Sequence, residues 1–159
     1  MMESLKAELF QATALTFEGL AFSFPSAELS EEEAAPLEAA VEVRFQGALS
    51  GRLVLAVSSK ILRTLTGNML GEGREITRSL QFDALGELAN VTCGNVLGMI
   101  GGKDKRCLLD APRPVELGAL TPPAGQKAAA VQVGLDGGRA EVLLVLDRLP
   151  APVTGVTQP

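Results

Sequence analysis

Hydrophobic residues first recur at helical spacing in residues 5–17, where Leu5, Leu9, Ala12 and Thr16 form a stripe that Phe10, Ala14 and Phe17 widen. The spacing predicts a helix there, then a short extended piece over 20–24 that stops at Pro25. From residue 40 the period drops to two. Val41, Val43 and Phe45 point one way, and Glu42, Arg44 and Gln46 the other. A Gly-bounded turn from Gly47 to Gly51 leads into Arg52-Leu53-Val54-Leu55-Ala56-Val57, which completes a β-hairpin. Ser58 or Ser59 can cap a helix over 60–70 that ends at Gly71, and Gly71-Glu72-Gly73-Arg74 reads as a loop. A long helix is predicted over 77–100, stopped by Gly101-Gly102.

Downstream, residues 106–109 and 115–117 read as short strands, and Pro112, Pro114, Pro122 and Pro123 argue against helix. Residues 128–135 and 139–146 form a second hairpin around Asp136-Gly137-Gly138. Its run Val142-Leu143-Leu144-Val145-Leu146 is apolar on both faces, which places it at the centre of a sheet or across an interface. Hairpins in place of alternating βαβ units give an α+β expectation: an antiparallel sheet covered by helices. Residues 1–148 form one domain in this reading, and 149–159 a loose Pro-rich tail.

Composition narrows the chemistry. The 159 residues are 47% hydrophobic, enough for one domain with a real core. His, Trp and Tyr are absent, which removes His-based triads and the usual zinc ligand sets. The net charge of -5 leaves no basic stripe for a phosphate backbone, so nucleic acid is not an expected partner. Cys93 and Cys107 lack close metal-ligand spacing and read as reduced thiols. The start alternates charged and apolar residues without the apolar run of a signal peptide, and no stretch approaches the roughly 20 apolar residues of a membrane span. A cytoplasmic protein with no membrane contact is expected. The acidic run from Ser30 to Pro36 reads as a solvated loop or single helical turn. Gly98 to Lys103 faintly suggests a phosphate loop but fails: Asp104 stands where Ser or Thr is needed, Leu97 where the first Gly is, and a helix precedes it.

The informative segment lies in the long helix. At about 100° per residue, Leu85, Leu88, Thr92, Val96 and Met99 share one face, which should meet the sheet. Asp83, Glu87, Asn90 and Gly94 stack on the opposite side. A polar outer face is ordinary in itself. Yet Asn90, Asn95, Gly86 and Gly94 all oppose helix formation, Gly by about 1 kcal/mol relative to Ala, and such conflicts mark functional or close-packed positions.

Asp83-x-x-x-Glu87-x-x-Asn90 followed by Gly94-Asn95, after the Gly47-x-x-x-Gly51 hairpin and the 60–70 helix, resembles the CheC/CheX/FliY chemotaxis phosphatases, in particular the single-site CheX-like branch. The resemblance covers residues 40–146 in element order, with a looser match for the first helix. It implies hydrolysis of the aspartyl phosphate of a CheY-type response regulator. Asn90 would orient the attacking water and Glu87 would pair with a Lys of the regulator, while Asp83, Gly94 and Asn95 would support or dock the partner. An amide suits this work, because it donates and accepts hydrogen bonds without adding negative charge beside a phosphoryl group. The Mg²⁺ required would belong to the regulator, so the chain needs no cofactor of its own. The family pattern carries a downstream Pro; Pro112 and Pro114 lie near that place, neither squarely on it. Two-site relatives repeat the motif on another helix, but here the first helix has only Glu8-x-x-Gln11, so one site is expected. Relatives of the CheX type dimerise by extending the sheet, which implies a homodimer. The alternative is a non-catalytic module of the same fold that docks a response regulator or a flagellar switch component.

Overall fold

The two-residue alternation closes as a long antiparallel hairpin, β1 (Leu37–Gly47) and β2 (Ser50–Ser58). In the computed structural model, which describes residues 2–26, 29, 35–71, 75–101, 106–135 and 137–148, this hairpin seeds a six-stranded antiparallel sheet. The other strands are β3 (Cys107–Leu109), β4 (Arg113–Val115), β5 (Lys127–Leu135) and β6 (Gly138–Arg148). Their order is β3-β1-β2-β6-β5, with β4 pairing further along the same side of β1 as β3. β6 is thus central between β2 and β5, as its doubly apolar run requires, and Val142–Leu146 is buried throughout.

Three helices cover one face: α1 (Met2–Ala21), α2 (Ser59–Leu70) and α3 (Arg78–Gly101). Leu9 and Phe17 of α1, Ile61 and Leu65 of α2, and Leu85 and Leu88 of α3 close over Val43, Leu55 and Leu144 of the sheet. The fold is α+β, as the hairpin order implies.

The other sheet face is not open to solvent. Ala40, Val54, Ala56, Leu143 and Val145 form a second, smaller core there, packed by Leu37, Val115, Ala119, Leu120 and Ala128. Its cover is the connection from β4 to β5, which crosses the sheet and includes a 3₁₀ turn at Leu117–Leu120. Arg52 Nη1 donates to the Ala119 carbonyl at 3.0 Å and pins that connection.

Four local expectations change. The first helix runs on to Ala21, so Leu20 and Ala21 are helical rather than extended. Asn68 Nδ2 donates to the Ala21 carbonyl at 2.8 Å and Ser23 N–H to the Phe17 carbonyl at 3.1 Å, which satisfies the helix end beyond the expected stop. The strand expected over 115–117 begins at Arg113 and ends at Val115, and the region read as free of helix holds the 3₁₀ turn, which fits between Pro114 and Pro122. Ser58 takes the cap position of α2 without a capping bond; its Oγ instead accepts the Arg139 N–H at 3.0 Å, tying α2 to β6. Most of the acidic run, Gly102, Asp104 and the tail expected over 149–159 lie outside the described residues.

Candidate active site

α3 starts where the sequence can satisfy a free backbone donor. Thr77 Oγ1 accepts the Leu80 N–H at 3.2 Å, three residues on, as an N-cap does. The helix is more deeply embedded than a two-faced wheel predicts. Leu85, Leu88, Thr92 and Val96 are buried and Met99 is partly so, but Ala84, Gly86, Ala89, Cys93 and Leu97 are buried as well. Beyond its first turn, the fully exposed positions of the helix make a narrow ridge: Asp83, Glu87, Gly94 and Gly98 are exposed, and Asn90 is half-buried among them. Among the described residues, the side chains of Asp83, Glu87 and Asn90 make no hydrogen bond or ion pair. A carboxylate and an amide therefore stand one helical turn apart, with nothing among the described residues to occupy them.

The glycines separate into two kinds. A Cβ on Gly86 would lie 3.0 Å from Pro112 Cβ, so Gly86 is a close-packing residue, one position before Glu87. A Cβ on Gly94 or Gly98 would meet nothing within 4 Å, so no contact among the described residues accounts for either. Pro112 sits against the helix that carries the motif, whereas Pro114 pairs with Val41 in the sheet. Asn95 turns away from the ridge. Its Nδ2 donates to Thr16 Oγ1 at 3.1 Å, and this bond ties α3 to α1.

A cluster of charges lies on the second face of the sheet, away from the helices. Glu42, only 4% exposed, accepts at Oε1 from Arg44 Nε at 2.9 Å and from Arg113 Nη2 at 2.9 Å and Nε at 3.2 Å. Arg52 Nη1 stands 3.6 Å from its Oε2. Burial pushes the Glu42 carboxyl up, but the bonds from Arg113 and Arg44 and their charges outweigh it and hold the group below the usual carboxylate range. Period-two alternation assigns Glu42 no role, because its partner Arg113 is remote in sequence. At the start of α3, the Arg78 guanidinium stacks over the Phe82 ring at 4.8 Å. Among the described residues no three His, Cys, Asp or Glu side chains converge as a metal site, and no helix is long and apolar enough to cross a membrane.

A family profile described as chemotaxis phosphatase CheX matches residues 39–134, more than half of the chain and the whole of α3. The chain belongs to the CheX family. Solved structures agree on the fold. The chemotaxis protein CheX from Desulfovibrio desulfuricans superposes with a TM-score of 0.72 at 14% identity, over 91% of this chain and 99% of that one. The CheX of a CheX–CheY–BeF₃–Mg²⁺ complex from Borrelia burgdorferi gives 0.63 at 15%, over 89% and 97%. FliY from Thermotoga maritima gives 0.56 at 15%, over 94% and 89%. A comparison with curated protein sequences gave no match. Membership of the CheX family makes the general function that of a chemotaxis phosphatase.

Proposed function

We propose that this chain hydrolyses the aspartyl phosphate of a CheY-type response regulator, with Asn90 orienting the attacking water and Glu87 pairing with a Lys of the regulator. One observation carries the reading: on a helix whose remaining faces are packed, Glu87 and Asn90 are one turn apart and, among the described residues, without side-chain partners. Phosphoryl transfer asks little covalent chemistry of a protein. Catalysis comes from placing a water in line with the bond to be broken. An Asn amide can hold that water by accepting a hydrogen bond from it at Oδ1 while its NH₂ donates to a phosphoryl oxygen. Glu87 contributes a charge that a regulator Lys can meet at the interface. Asp83 and Gly94 extend the same ridge as docking surface, and Asn95 serves it by fixing α3 on α1. The Mg²⁺ belongs to the regulator, in keeping with the composition of the Borrelia burgdorferi complex. In the same reading two copies join along a sheet edge, and β5 is such an edge.

Incubating the protein with a phosphorylated CheY-type regulator and following phosphate release tests the proposal. Release well above the regulator's own decay is expected. Tight binding without acceleration would leave a docking module instead.

A further inference from the structure

The turn of α3 that carries Gly86, Glu87 and Asn90 rests on Pro112 as well as on the sheet, with Pro112 Cβ 3.0 Å from where a Gly86 Cβ would stand. Pro112 precedes β4, so the seat of β4 sets how this turn stands at the sheet edge. β4 is a poor strand by its own resources. It has three residues, it lies at the edge beyond β1, and Pro114 in its middle offers no N–H. Its successive side chains point to opposite faces. Pro112 thus meets the helix, while Arg113, directly across from Glu42 in the ladder, turns to the other face and donates twice to the Glu42 carboxylate.

We infer that Glu42 and Arg113 are positioning residues: the hold of the buried Glu42 carboxylate on Arg113 latches β4 to β1, seats Pro112 against Gly86, and so fixes the turn that presents Glu87 and Asn90. The inference rests on the phosphatase reading and adds a part to it. The other arginines supply the contrast. Arg44 donates to the same Glu42 oxygen at 2.9 Å, but from β1 itself, so it tethers no second element. Arg52 reaches Glu42 from β2 and holds the connection at Ala119 instead. Arg113 alone joins Glu42 to the strand beneath the site. A water held for in-line attack tolerates little displacement, of the order of 1 Å for a hundredfold loss, whereas a long Glu–Lys pair adapts. Loosening the latch should therefore appear in kcat more than in binding.

The test uses the full-length protein as Arg113→Met, Arg113→Lys and Arg44→Met. Three quantities are read: turnover of a phosphorylated CheY-type regulator, affinity for its beryllofluoride-activated form, and amide exchange across residues 84–91. Arg113 is 60% exposed, and Glu42 keeps Arg44 and Arg52 when it is replaced, so the fold should survive; the melting temperature checks this. Arg113→Met should lower kcat about tenfold, change affinity by less than about threefold, and speed exchange in 84–91 several-fold. Arg113→Lys should recover part of the loss, since it keeps the charge without the paired donors. Arg44→Met should match the parent in both turnover and exchange. Parental turnover and exchange in Arg113→Met would overturn the inference, as would an equal loss in Arg44→Met. A parent inactive on phosphorylated regulators would defeat the phosphatase reading instead, and exchange at 84–91 would still judge the latch.

Discussion

Glu42 and Glu87 are two carboxylates of one domain that the fold treats in opposite ways. Glu42 is buried on the second face of the sheet and spends its charge on three arginines drawn from β1, β2 and β4. Glu87 stands exposed on α3, one turn from Asn90, and has no side-chain partner among the described residues. The first charge holds parts of the chain to one another. In the proposed function, the second meets another molecule. Motif-bearing α3 shows the same division within one helix: its inner faces are packed closely enough that a Cβ at Gly86 would crowd Pro112, while Gly94 and Gly98 have open space above them.

The comparison breaks most sharply under alanine. Glu42→Ala removes the charge that gathers three arginines, of which Arg44 and Arg113 are more than half exposed and remain hydrated; it should cost roughly 2 kcal/mol of stability, whereas Glu87→Ala should stay within about 0.5 kcal/mol. Glu87→Ala should nonetheless weaken regulator binding and turnover, because the partner's Lys loses its counter-charge. Chemical denaturation of both variants beside a binding titration checks the pair. Equal melting of the two would erase the contrast.

Acid sharpens it. The Glu42 pKa lies lower in the folded chain than its ordinary value of 4.5. Its contribution is therefore fully present above about pH 4.5 and is lost as pH falls through the depressed folded value. Glu42→Gln should flatten that part of the acid unfolding curve, and Glu87→Gln should leave it in place. Denaturant midpoints measured from pH 6 down to pH 3 would show whether they differ.

The sheet and its helices were legible in the sequence because they rest on local periodicity. The hairpin alternation, the stripe of α1 and the length of α3 each recur within a few residues and survive packing. The second face of the sheet was not legible. Alternation at Glu42, Arg44 and Gln46 says only that these side chains share a face; it cannot say that a later stretch of chain will cover it. That cover depends on β4 and the 3₁₀ turn, whose pairing to β1 spans dozens of residues and leaves no local period. The ridge was legible as far as Asp83, Glu87, Asn90 and Gly94. The turn of Asn95 toward Thr16 and the seat of Pro112 were not, since both come from contacts between elements.

The helix glycines offer a smaller test of the same division. Gly94→Ala places a methyl in open space and should stabilise the isolated protein by up to about 1 kcal/mol, raising Tm by roughly 2–4 °C. Gly86→Ala gains the same helix propensity but forces Pro112 aside, so it should melt below Gly94→Ala. Melting temperatures in the reverse order would contradict the packing described for the Glu87 turn.

Smallest in effect is Cys93, immediately before Gly94 but on the packed side. Burial, with a minor contribution from Cys107, pushes its thiol up to about 12 from 9.0. A raised acid pKa stabilises the fold below pH 9, and the benefit declines as pH rises through the folded value. At pH 8 the native Cys93 thiol should react with a thiol reagent far more slowly than in denaturant, while the partly buried Cys107 reacts sooner. Rapid native labelling of Cys93 would show that α3 opens more readily than its packing implies.

The most direct measurement is turnover and binding together for Asn90→Ala, with Tm as control. If Asn90 holds the attacking water, kcat should fall by about 100-fold, roughly 3 kcal/mol of barrier, while affinity for the activated regulator and Tm stay near parental values. Hydrolysis at the parental rate by a folded Asn90→Ala protein would contradict the account.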